Sequence, residues 1–314
     1  MTPLKRFFNR IQKPPRLQAG DLIGIVSPSG FLSDDRIKRL ESGIARLQEM
    51  GFRVRTGRRL FDRKRYLAGK DADRAADLNE MLRDPAVKAV LCSRGGFGAA
   101  RILDAVDYKA VRRHPKILIS FSDGTALQSA LYVRSRLVTF SGLMAVELAE
   151  ASMESLEIWR TMLSRDTTGM VLESPTFRTV IGGVSEGILL GGCLSILVSL
   201  LGTPFMPDLS GTLLVLEDVG EPLYRIDRFL TQLRLSGALK GVSGVVFGTF
   251  VSEPAVSIEE LAEVAYEHLS STGIPVFCGL PYGHFPQRLT LPFGVRAELD
   301  ADRGTITLLE SATL

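Results

Sequence analysis

Residues 22 to about 140 alternate between short apolar runs and segments of helical periodicity, and this alternation constrains the fold most strongly. The first run, LIGIVS at 22–27, precedes a helical stretch from Ser33 to Met50. The apolar residues of that stretch recur at helical spacing: Ile37, Leu40, Ile44 and Leu47. The order returns in FRVRTG with KDADRAADLNEMLRD, in KAVLCS with AARILDAV, and in KILISF with ALQSALYVRS. It predicts a parallel sheet covered on both faces, with ligands at the carboxyl ends of the strands.

The second half of the chain has a different pattern. At 314 residues the chain is long enough for two domains. A polar, turn-rich stretch with Gly169 and Pro175 predicts a linker over 166–180. Several apolar runs and only two helical stretches, 224–235 and 258–270, follow it. We therefore expect an α/β protein, with a parallel-sheet domain over 1–165 and a smaller, β-rich α+β domain over 181–314.

The charge pattern gives little reason to expect a nucleic-acid partner. The net charge is +3, and aromatic residues make up only 7% of the chain. Most of the basic excess lies in segment 53–65 and near the N-terminus, at Lys5, Arg6, Arg10, Lys13 and Arg16. Because no RNA- or DNA-binding motif accompanies these charges, we interpret them as a solvated surface and a basic tail.

The sequence predicts a cytoplasmic protein that does not contact membranes. Its first residues, MTPLKRFFNRIQKPPRLQAG, are basic but lack the apolar core of a secretory signal peptide. No segment approaches the run of about 18 apolar residues that spans a bilayer. Cys92, Cys193 and Cys278 stand singly in apolar segments, which predicts buried thiols rather than a disulfide framework or a zinc site.

Ser122 is the first candidate for chemistry. It lies in SFSDGTAL, between the strand KILISF and the helix ALQSALYV. This placement is similar to a nucleophile elbow, in which a tight turn holds a serine above the sheet and helix N–H groups face an oxyanion. The alternative is that Ser122, Asp123 and Thr125 only cap the helix.

The segment CSRGGFGAA, residues 92–100, also lies between a strand and a helix. Its glycines allow a close backbone approach to a ligand. A shifted dinucleotide fingerprint in Gly96, Gly98 and Ala100 is one interpretation, but the motif does not open the first βαβ unit. An anion or oxyanion site made of loop N–H groups explains the same glycines.

A carboxylate and a histidine in the second half are further candidates. Glu217 and Asp218 end the buried strand LLVLEDV. Glu217 is either a catalytic acid or a structural residue that caps the next helix or pairs with Arg225 or Arg228. Of the three histidines, His114 is typical of a surface loop and His268 of a helix. His284 lies in the turn PYGHFPQ and is the best general-base candidate. No cluster shows metal-ligand spacing, so we expect no metal and no cofactor.

Five blocks in order resemble the L,D-carboxypeptidase (muramoyltetrapeptide carboxypeptidase) family, which also includes microcin self-immunity proteins. They are GDLIGIVSPSG (20–30), RGGFGAARILD (94–104), PKILISFSDGTAL (115–127), the segment 189–233 and GLPYGHFPQRLTLPFGVRAELD (279–300). The resemblance implies a Rossmann-like N-terminal domain, a smaller β-rich C-terminal domain and a homodimer that acts without metal.

The resemblance also implies roles for individual residues. Ser122 matches the nucleophile, His284 the general base and Glu217 the acid that orients it. Backbone N–H groups of Asp123 and of the Gly95–Gly96 loop match the oxyanion hole. Independently of the resemblance, Arg94 is a candidate for binding a substrate carboxylate through two hydrogen bonds, because it opens the glycine loop. A structural ion pair is the alternative.

The implied reaction is release of the terminal D-Ala from murein tetrapeptide or a related small peptide, in cell-wall recycling. The sequence departs from the family pattern at Ser120 (usually glycine), at Cys193 (asparagine) and at Ser141, in FSGLM. The last of these lies near the expected domain junction and cleft, so it bears on substrate preference more than on the triad. A microcin self-immunity type hydrolase of nucleotide amides is the first alternative, and a non-catalytic metabolite-binding protein is the second.

Overall fold

A computed structural model describes residues 11–314, so Lys5, Arg6 and Arg10 of the basic tail lie outside the described residues. The chain forms two compact units. The first consists of the residues up to Asp166 together with Thr290–Pro292 and Ala312–Leu314, and the second of Thr167–Leu289 and Phe293–Ser311.

The described residues form strands and helices within the following bounds. The strands are β1 (Leu22–Val26), β2 (Arg53–Thr56), β3 (Val87–Cys92), β4 (Ile117–Ser120), β5 (Thr139–Ser141), β6 (Val171–Glu173), β7 (Arg178–Ile181), β8 (Val184–Cys193), β9 (Thr212–Val219), β10 (Gly244–Val251), β11 (Val276–Gly283), β12 (Leu291–Phe293), β13 (Arg296–Asp300) and β14 (Thr305–Leu308). The α-helices are α1 (Asp34–Glu49), α2 (Asp71–Arg83), α3 (Tyr108–Arg113), α4 (Thr125–Ser135), α5 (Met153–Ser164), α6 (Leu194–Ser199), α7 (Leu223–Leu235) and α8 (Ile258–Leu269). Three 3-10 turns cover Ala99–Ala105, Ser122–Gly124 and Ser270–Thr272.

The first sheet has the order β12-β5-β4-β3-β1-β2. Strands β1 to β5 pair in parallel throughout. All four residues of β4 are buried, as expected for a strand covered on both faces. The order 2-1-3-4-5 is that of a doubly wound sheet, in which the chain changes direction between β1 and β3. The loops after these two strands therefore meet at the position where such sheets bind ligands.

The second sheet has the order β6-β14-β13-β8-β9-β10-β11-β7. Its centre, from β8 to β11, is parallel, and its outer pairs are antiparallel. The fold class expected from the sequence is confirmed: a parallel-sheet α/β domain precedes a smaller, sheet-rich domain. Among residues 11–314, no helix combines the length and the apolar character needed to cross a membrane.

The structure differs from the expectation of a linker over 166–180. Strand β6 lies inside this segment and pairs with β14, and β7 begins in it and pairs with β11. Gly169, with a φ of 78°, lies in the turn before β6, and Pro175 lies in the bend between β6 and β7. Gly and Pro mark the turns between short strands as well as linkers, so the composition of this segment does not distinguish the two.

Candidate active site

Ser122 occupies a strained turn between β4 and α4. Phe121 continues the extended backbone of β4, and Ser122 then has a φ of 60°, which places it in the left-handed region. Arg65 and Arg136 are the other non-glycine residues of the described chain with positive φ. A serine in this conformation at the end of a parallel strand is typical of a nucleophile elbow.

The alternative of a simple helix cap does not describe this turn. The residue before α4 is Gly124, which has no side chain to cap the helix. The buried carboxylate of Asp123 instead accepts a hydrogen bond from the backbone N–H of Ala99, at 2.8 Å. The Asp123 side chain therefore ties the elbow to the glycine-rich loop.

The glycine-rich loop packs directly against Ser122. A Cβ atom placed on Gly95 would lie 2.9 Å from Ser122 Cβ and 3.2 Å from its Oγ, so this position has room only for glycine. The carbonyl of Gly95 accepts a hydrogen bond from Gly30 N, at 3.2 Å. Gly96, with a φ of 121°, runs alongside Gly30. The loop after β3 thus lies between Ser122 and the loop after β1.

Ser120, one of the departures from the family pattern, is buried beneath the elbow. Its hydroxyl points to the carbonyl of Gly124, at 3.4 Å. A Cβ atom on Gly124 would lie 2.5 Å from Ser120 Cβ. The serine therefore fits because residue 124 is glycine. Ser141, another departure, is buried at the end of the neighbouring strand β5 and pairs in register with Ser120.

In the second unit, Glu217 and His284 form a hydrogen-bonded pair. Glu217 lies near the end of β9 with an exposed fraction of 0%, and His284 directly follows β11. The distance between His284 Nδ1 and Glu217 Oε2 is 2.7 Å. Glu217 Oε1 accepts no hydrogen bond from any described residue. The hydrogen bond to His284 Nδ1 is thus the one that the Glu217 carboxylate accepts from the described residues.

A local irregularity of the sheet makes room for this pair. Between β10 and β11 the register shifts after Phe247, where Gly248 passes the carbonyl of Tyr282. A side chain at Gly248 would collide with that carbonyl and would lie 3.4 Å from Glu217 Cβ. Such shifts are common beside active sites, where they redirect a side chain. Here the shift carries β11 to the point at which His284 meets Glu217.

Burial raises the pKa of Glu217, whereas the hydrogen bond and charge of His284 and the charge of Arg288 oppose this rise. Arg288 is buried, and its guanidinium donates to the carbonyl of Phe285 at 3.3 Å. The sequence did not single out Arg288, because an arginine in a turn of this composition is usually a surface residue. Its burial is visible only in the structure.

Asp218, next to Glu217, has a separate structural role. Its carboxylate accepts hydrogen bonds from the backbone N–H of Ser195, at 2.7 Å, and from the thiol of Cys193, at 3.3 Å. Burial raises the pKa of the Cys193 thiol well above its usual value, and the charges of Glu217 and Asp218 raise it further. Cys193 therefore acts here as a neutral donor at the start of α6. All three cysteines are buried thiols outside any disulfide, as expected.

The structure separates the remaining candidates. His268 contacts Asp227 at 2.8 Å, between α8 and α7, and His114 is exposed in a loop. Arg225 pairs with Glu221 rather than with Glu217, at 2.7 Å. The described residues contain no group of three His, Cys, Asp or Glu side chains placed to hold a metal ion.

Arg94 opens the glycine-rich loop and is half-buried. Its Nη1 donates to the carbonyl of Phe31, at 3.0 Å. Burial and the charge of Arg36 lower its pKa to about 10, while Glu147 and Asp123 oppose this. Among residues 11–314, no carboxylate forms an ion pair with Arg94, so the alternative of a structural ion pair does not hold there.

Two clusters therefore contain all the predicted site residues, one in each unit. Ser122, Asp123, Gly95, Gly96 and Arg94 lie together in the first unit, and Glu217 and His284 in the second. Strained serine elbows and buried carboxylate–imidazole pairs are arrangements that hydrolytic enzymes use to generate and stabilise a nucleophile. By fold and site, the chain falls in the class of hydrolases.

Comparison with known proteins identifies the family. Residues 23–142 match the LD-carboxypeptidase N-terminal domain and residues 186–299 match the LD-carboxypeptidase C-terminal domain. The chain belongs to the LD-carboxypeptidase family of peptidases, as the resemblance of its sequence blocks indicated.

Proteins named as murein peptide carboxypeptidases and a protein named for microcin self-immunity are similar to the chain over nearly its whole length. A Bacillus subtilis protein named "Probable murein peptide carboxypeptidase" is 35% identical, over 97% of this chain and 97% of its own. The murein tetrapeptide carboxypeptidase of Pseudomonas aeruginosa is 31% identical, over 90% of this chain and 94% of its own. The microcin C7 self-immunity protein MccF of Escherichia coli is 28% identical, over 96% and 97%. A solved structure of wild-type MccF without ligand, 26% identical, has a TM-score of 0.88 and covers 96% of this chain and 100% of that one.

Proposed function

We propose that this chain is a serine-type L,D-carboxypeptidase that releases the C-terminal D-Ala from murein tetrapeptide. The observation that carries the proposal is the φ of 60° at Ser122, because a strained serine at this turn has a clear use as a nucleophile. The names of the Bacillus and Pseudomonas relatives support the substrate.

In the proposed mechanism, His284 removes the proton from Ser122 Oγ, and this oxygen attacks the carbonyl carbon before the terminal D-residue. The imidazolium then protonates the leaving amine, and water hydrolyses the acyl-enzyme with His284 again as base. Glu217 supports both steps, since its hydrogen bond at Nδ1 leaves Nε2 as the nitrogen that exchanges protons with the serine.

The negative charge of the tetrahedral intermediate requires donors beside Ser122. We assign this role to the backbone N–H groups of Asp123 and of the Gly95–Gly96 loop. The contact of Gly95 with Ser122 supports the assignment, and so does the bond from Ala99 N to the Asp123 carboxylate, which fixes the loop relative to the elbow. Arg94, without an ion-pair partner among the described residues, is the proposed ligand of the substrate carboxylate.

Three further features belong to the same proposal. The reaction needs no metal, because serine, histidine and glutamate supply nucleophile, base and orienting group. The protein is a cytoplasmic homodimer. Unchanged turnover after dialysis against EDTA, a dimer mass in sedimentation velocity and recovery in the cytoplasmic fraction are the expected results.

A second candidate function is hydrolysis of an aminoacyl- or peptidyl-nucleotide amide, as in microcin self-immunity. The TM-score of 0.88 with MccF favours it. An enzyme of this kind binds adenylates, so AMP should inhibit it competitively. For the carboxypeptidase we expect no inhibition by AMP at millimolar concentration.

The deciding experiment incubates the purified protein with murein tetrapeptide and measures released D-Ala by mass spectrometry. The wild type should release D-Ala, and Ser122→Ala should release none while remaining folded by circular dichroism. A fluorophosphonate probe should label the wild type at Ser122. Absence of both release and labelling, with ligand binding retained in Ser122→Ala, would instead indicate the non-catalytic metabolite-binding protein.

A test of Arg94 uses two substrates. Arg94→Gln should raise KM for the tetrapeptide by about tenfold or more, because it removes a charge-assisted hydrogen bond to the terminal carboxylate. The tetrapeptide amide, which lacks that carboxylate, should be an equally poor substrate for wild type and variant. Equal loss on both substrates would assign Arg94 a structural role.

A further inference from the structure

A cavity of about 430 Å³ opens at the switch point of the first sheet. Its lining comes from the loops after β1 and β3 and from the segment before α2: Gly30, Phe31, Tyr66, Arg94, Gly96 and Phe97. Doubly wound sheets bind their ligands at this place, and the volume lies within the usual range for small-molecule sites.

Three aromatic rings form the walls of the cavity. Tyr66 and Phe97 meet edge to face with ring centroids 5.5 Å apart, yet their side chains are about half exposed, at 51% and 52%. The guanidinium of Arg63 lies 4.1 Å from the centroid of the Phe31 ring. Aromatic surface that is held in place but uncovered can bury apolar groups of a ligand.

Arg94 supplies the charge of the cavity. A Cβ atom on Gly30 would lie 3.1 Å from Arg94 Nη1, and one on Gly96 would lie 3.3 Å from Nη2. A side chain at either position would crowd the guanidinium, so glycines at both positions favour its place between the two loops. A half-buried cation without an ion-pair partner among residues 11–314 favours an anionic group as the ligand.

The cavity adjoins the serine elbow through a single residue. Gly95 contacts Ser122 on one side, and its neighbours Arg94 and Gly96 line the cavity on the other. A group bound in the cavity is therefore separated from Ser122 only by Gly95.

We propose that this cavity receives the C-terminal residue that leaves, with its carboxylate on Arg94 and its side chain against Phe31, Tyr66 and Phe97. The enzyme then accepts C-terminal D-residues with apolar side chains much larger than the methyl group of alanine. This inference rests on the proposed carboxypeptidase function. Its physical reason is that a methyl group leaves most of the aromatic surface uncovered, whereas a leucine or phenylalanine side chain buries it.

A substrate series tests the inference. Tetrapeptides ending in D-Ala, D-Leu and D-Phe are compared by kcat/KM, measured as the released D-amino acid. For the wild type we expect the three values to agree within about tenfold. In Phe97→Ala and Tyr66→Ala, kcat/KM for D-Phe should fall about tenfold further than kcat/KM for D-Ala.

Phe61→Ala is the matched control. Phe61 is an exposed aromatic residue of the same segment that does not line the cavity, so this variant should keep the wild-type ratio of D-Phe to D-Ala. Release of D-Ala with discrimination of more than about 100-fold against D-Leu and D-Phe would overturn the inference and leave the proposed function intact. Equal effects of Phe97→Ala on all three substrates would also overturn it.

An equilibrium measurement separates the inference from the proposed function. Binding of N-acetyl-D-phenylalanine, N-acetyl-D-alanine and N-acetyl-D-phenylalaninamide to the wild type is followed by NMR titration. The first should bind most tightly, and Phe97→Ala and Arg94→Gln should each weaken it. If no peptide is cleaved, the proposed function fails, and this titration alone decides the cavity: no preference for the aromatic acid overturns the inference.

Discussion

At the scale of single residues, the site depends on a backbone conformation that its own residue does not favour. A non-glycine residue in the left-handed region costs about 1–3 kcal/mol and persists only where its surroundings determine it. For Ser122 those surroundings are Gly95 on one side and the hydrogen bond between Asp123 and Ala99 on the other. The conformation of the proposed nucleophile is therefore set by neighbours from another loop.

Gly95→Ala tests this dependence. The new Cβ would lie 2.9 Å from Ser122 Cβ and 3.4 Å from the Phe121 carbonyl, so either the loop or the elbow must shift. We expect kcat/KM to fall by about 100-fold or more, since a displacement of about 1 Å at a reacting group has this effect. Gly20→Ala is the control, because its φ of 87° costs stability but its Cβ meets no atom within 4 Å. The expectation fails if both variants lose stability and activity in the same proportion.

Glu217→Gln separates catalysis from stability. Burial raises the pKa of Glu217 in the folded protein, so the folded state holds this proton more tightly than the unfolded chain does. The free energy of unfolding therefore decreases as the pH rises from the usual glutamate range through the raised value. The variant should lack this decrease, while its kcat should fall about 10³- to 10⁴-fold because glutamine favours the wrong tautomer of His284.

Urea unfolding between pH 4 and pH 9 and steady-state kinetics measure the two effects of Glu217→Gln. Glu186→Gln is the matched control, since Glu186 forms an exposed ion pair with Arg296. This variant should change neither the pH dependence of the free energy of unfolding nor kcat. Identical pH slopes in wild type and Glu217→Gln would show that the buried carboxyl group does not titrate in this range.

At the scale of elements, the connection between β4 and α4 depends on two residues that fit each other in size, Ser120 and Gly124. The Ser120 side chain occupies the space that a side chain at residue 124 would need. Gly124 has φ −62° and ψ −15°, which any residue adopts easily, so the glycine is required by space and not by backbone conformation. A departure from the family pattern at Ser120 is thus accommodated inside the same element.

A double-mutant cycle tests this pairing. Gly124→Ala alone should destabilise the protein by about 1–3 kcal/mol, because its Cβ would lie 2.5 Å from Ser120 Cβ. In a Ser120→Gly background the same substitution should cost almost nothing, since Ser120 supplies the atoms within 4 Å of that Cβ. Urea unfolding of the four proteins measures the interaction energy. Additive effects would mean that another neighbour excludes the side chain.

Sequence patterns predicted the regular strands and helices of the first sheet. They did not predict the 3-10 turn or the short edge strands. The strand–helix alternation predicted β1 to β4 and the helices α1, α2 and α4, because each carries its own periodicity. AARILDAV forms a 3-10 turn rather than an α-helix, and 166–180 contains edge strands. Edge strands of three or four residues are fixed by partners distant in sequence, such as β14 for β6, and local patterns do not contain that information.

The same limit applies to the site. Ser122, Glu217 and His284 could be proposed from the sequence because each lies at or just after the end of a strand and because the surrounding blocks resemble the family. The cavity wall could not, since Phe31 and Tyr66 lie on separate loops that meet only through the parallel order of β2, β1 and β3. Arg288 was missed because its burial depends on the turn after β11.

At the scale of the whole molecule, the chain completes its first unit with segments from the other end of the sequence. Strand β12 forms the edge of the first sheet beyond β5. Residues Ala312–Leu314 also belong to the first unit, where Leu314 N donates to the carbonyl of Pro14 at 3.0 Å. We therefore expect the stability of the first unit to depend on residues that follow Asp166 by more than a hundred positions.

Removal of residues 312–314 tests this dependence. Ala312 and Thr313 are buried, and the deletion also removes the bond from Leu314 N to Pro14. We expect the free energy of unfolding to fall by about 1–3 kcal/mol, with a lower Tm. Leu314→Ala is the control: it keeps the backbone donor and both buried residues, and its side chain is 72% exposed, so its effect should stay within about 0.5 kcal/mol. If both variants melt at the same temperature, residues 312–314 do not stabilise the first unit. A lower Tm for the deletion alone would show that they do.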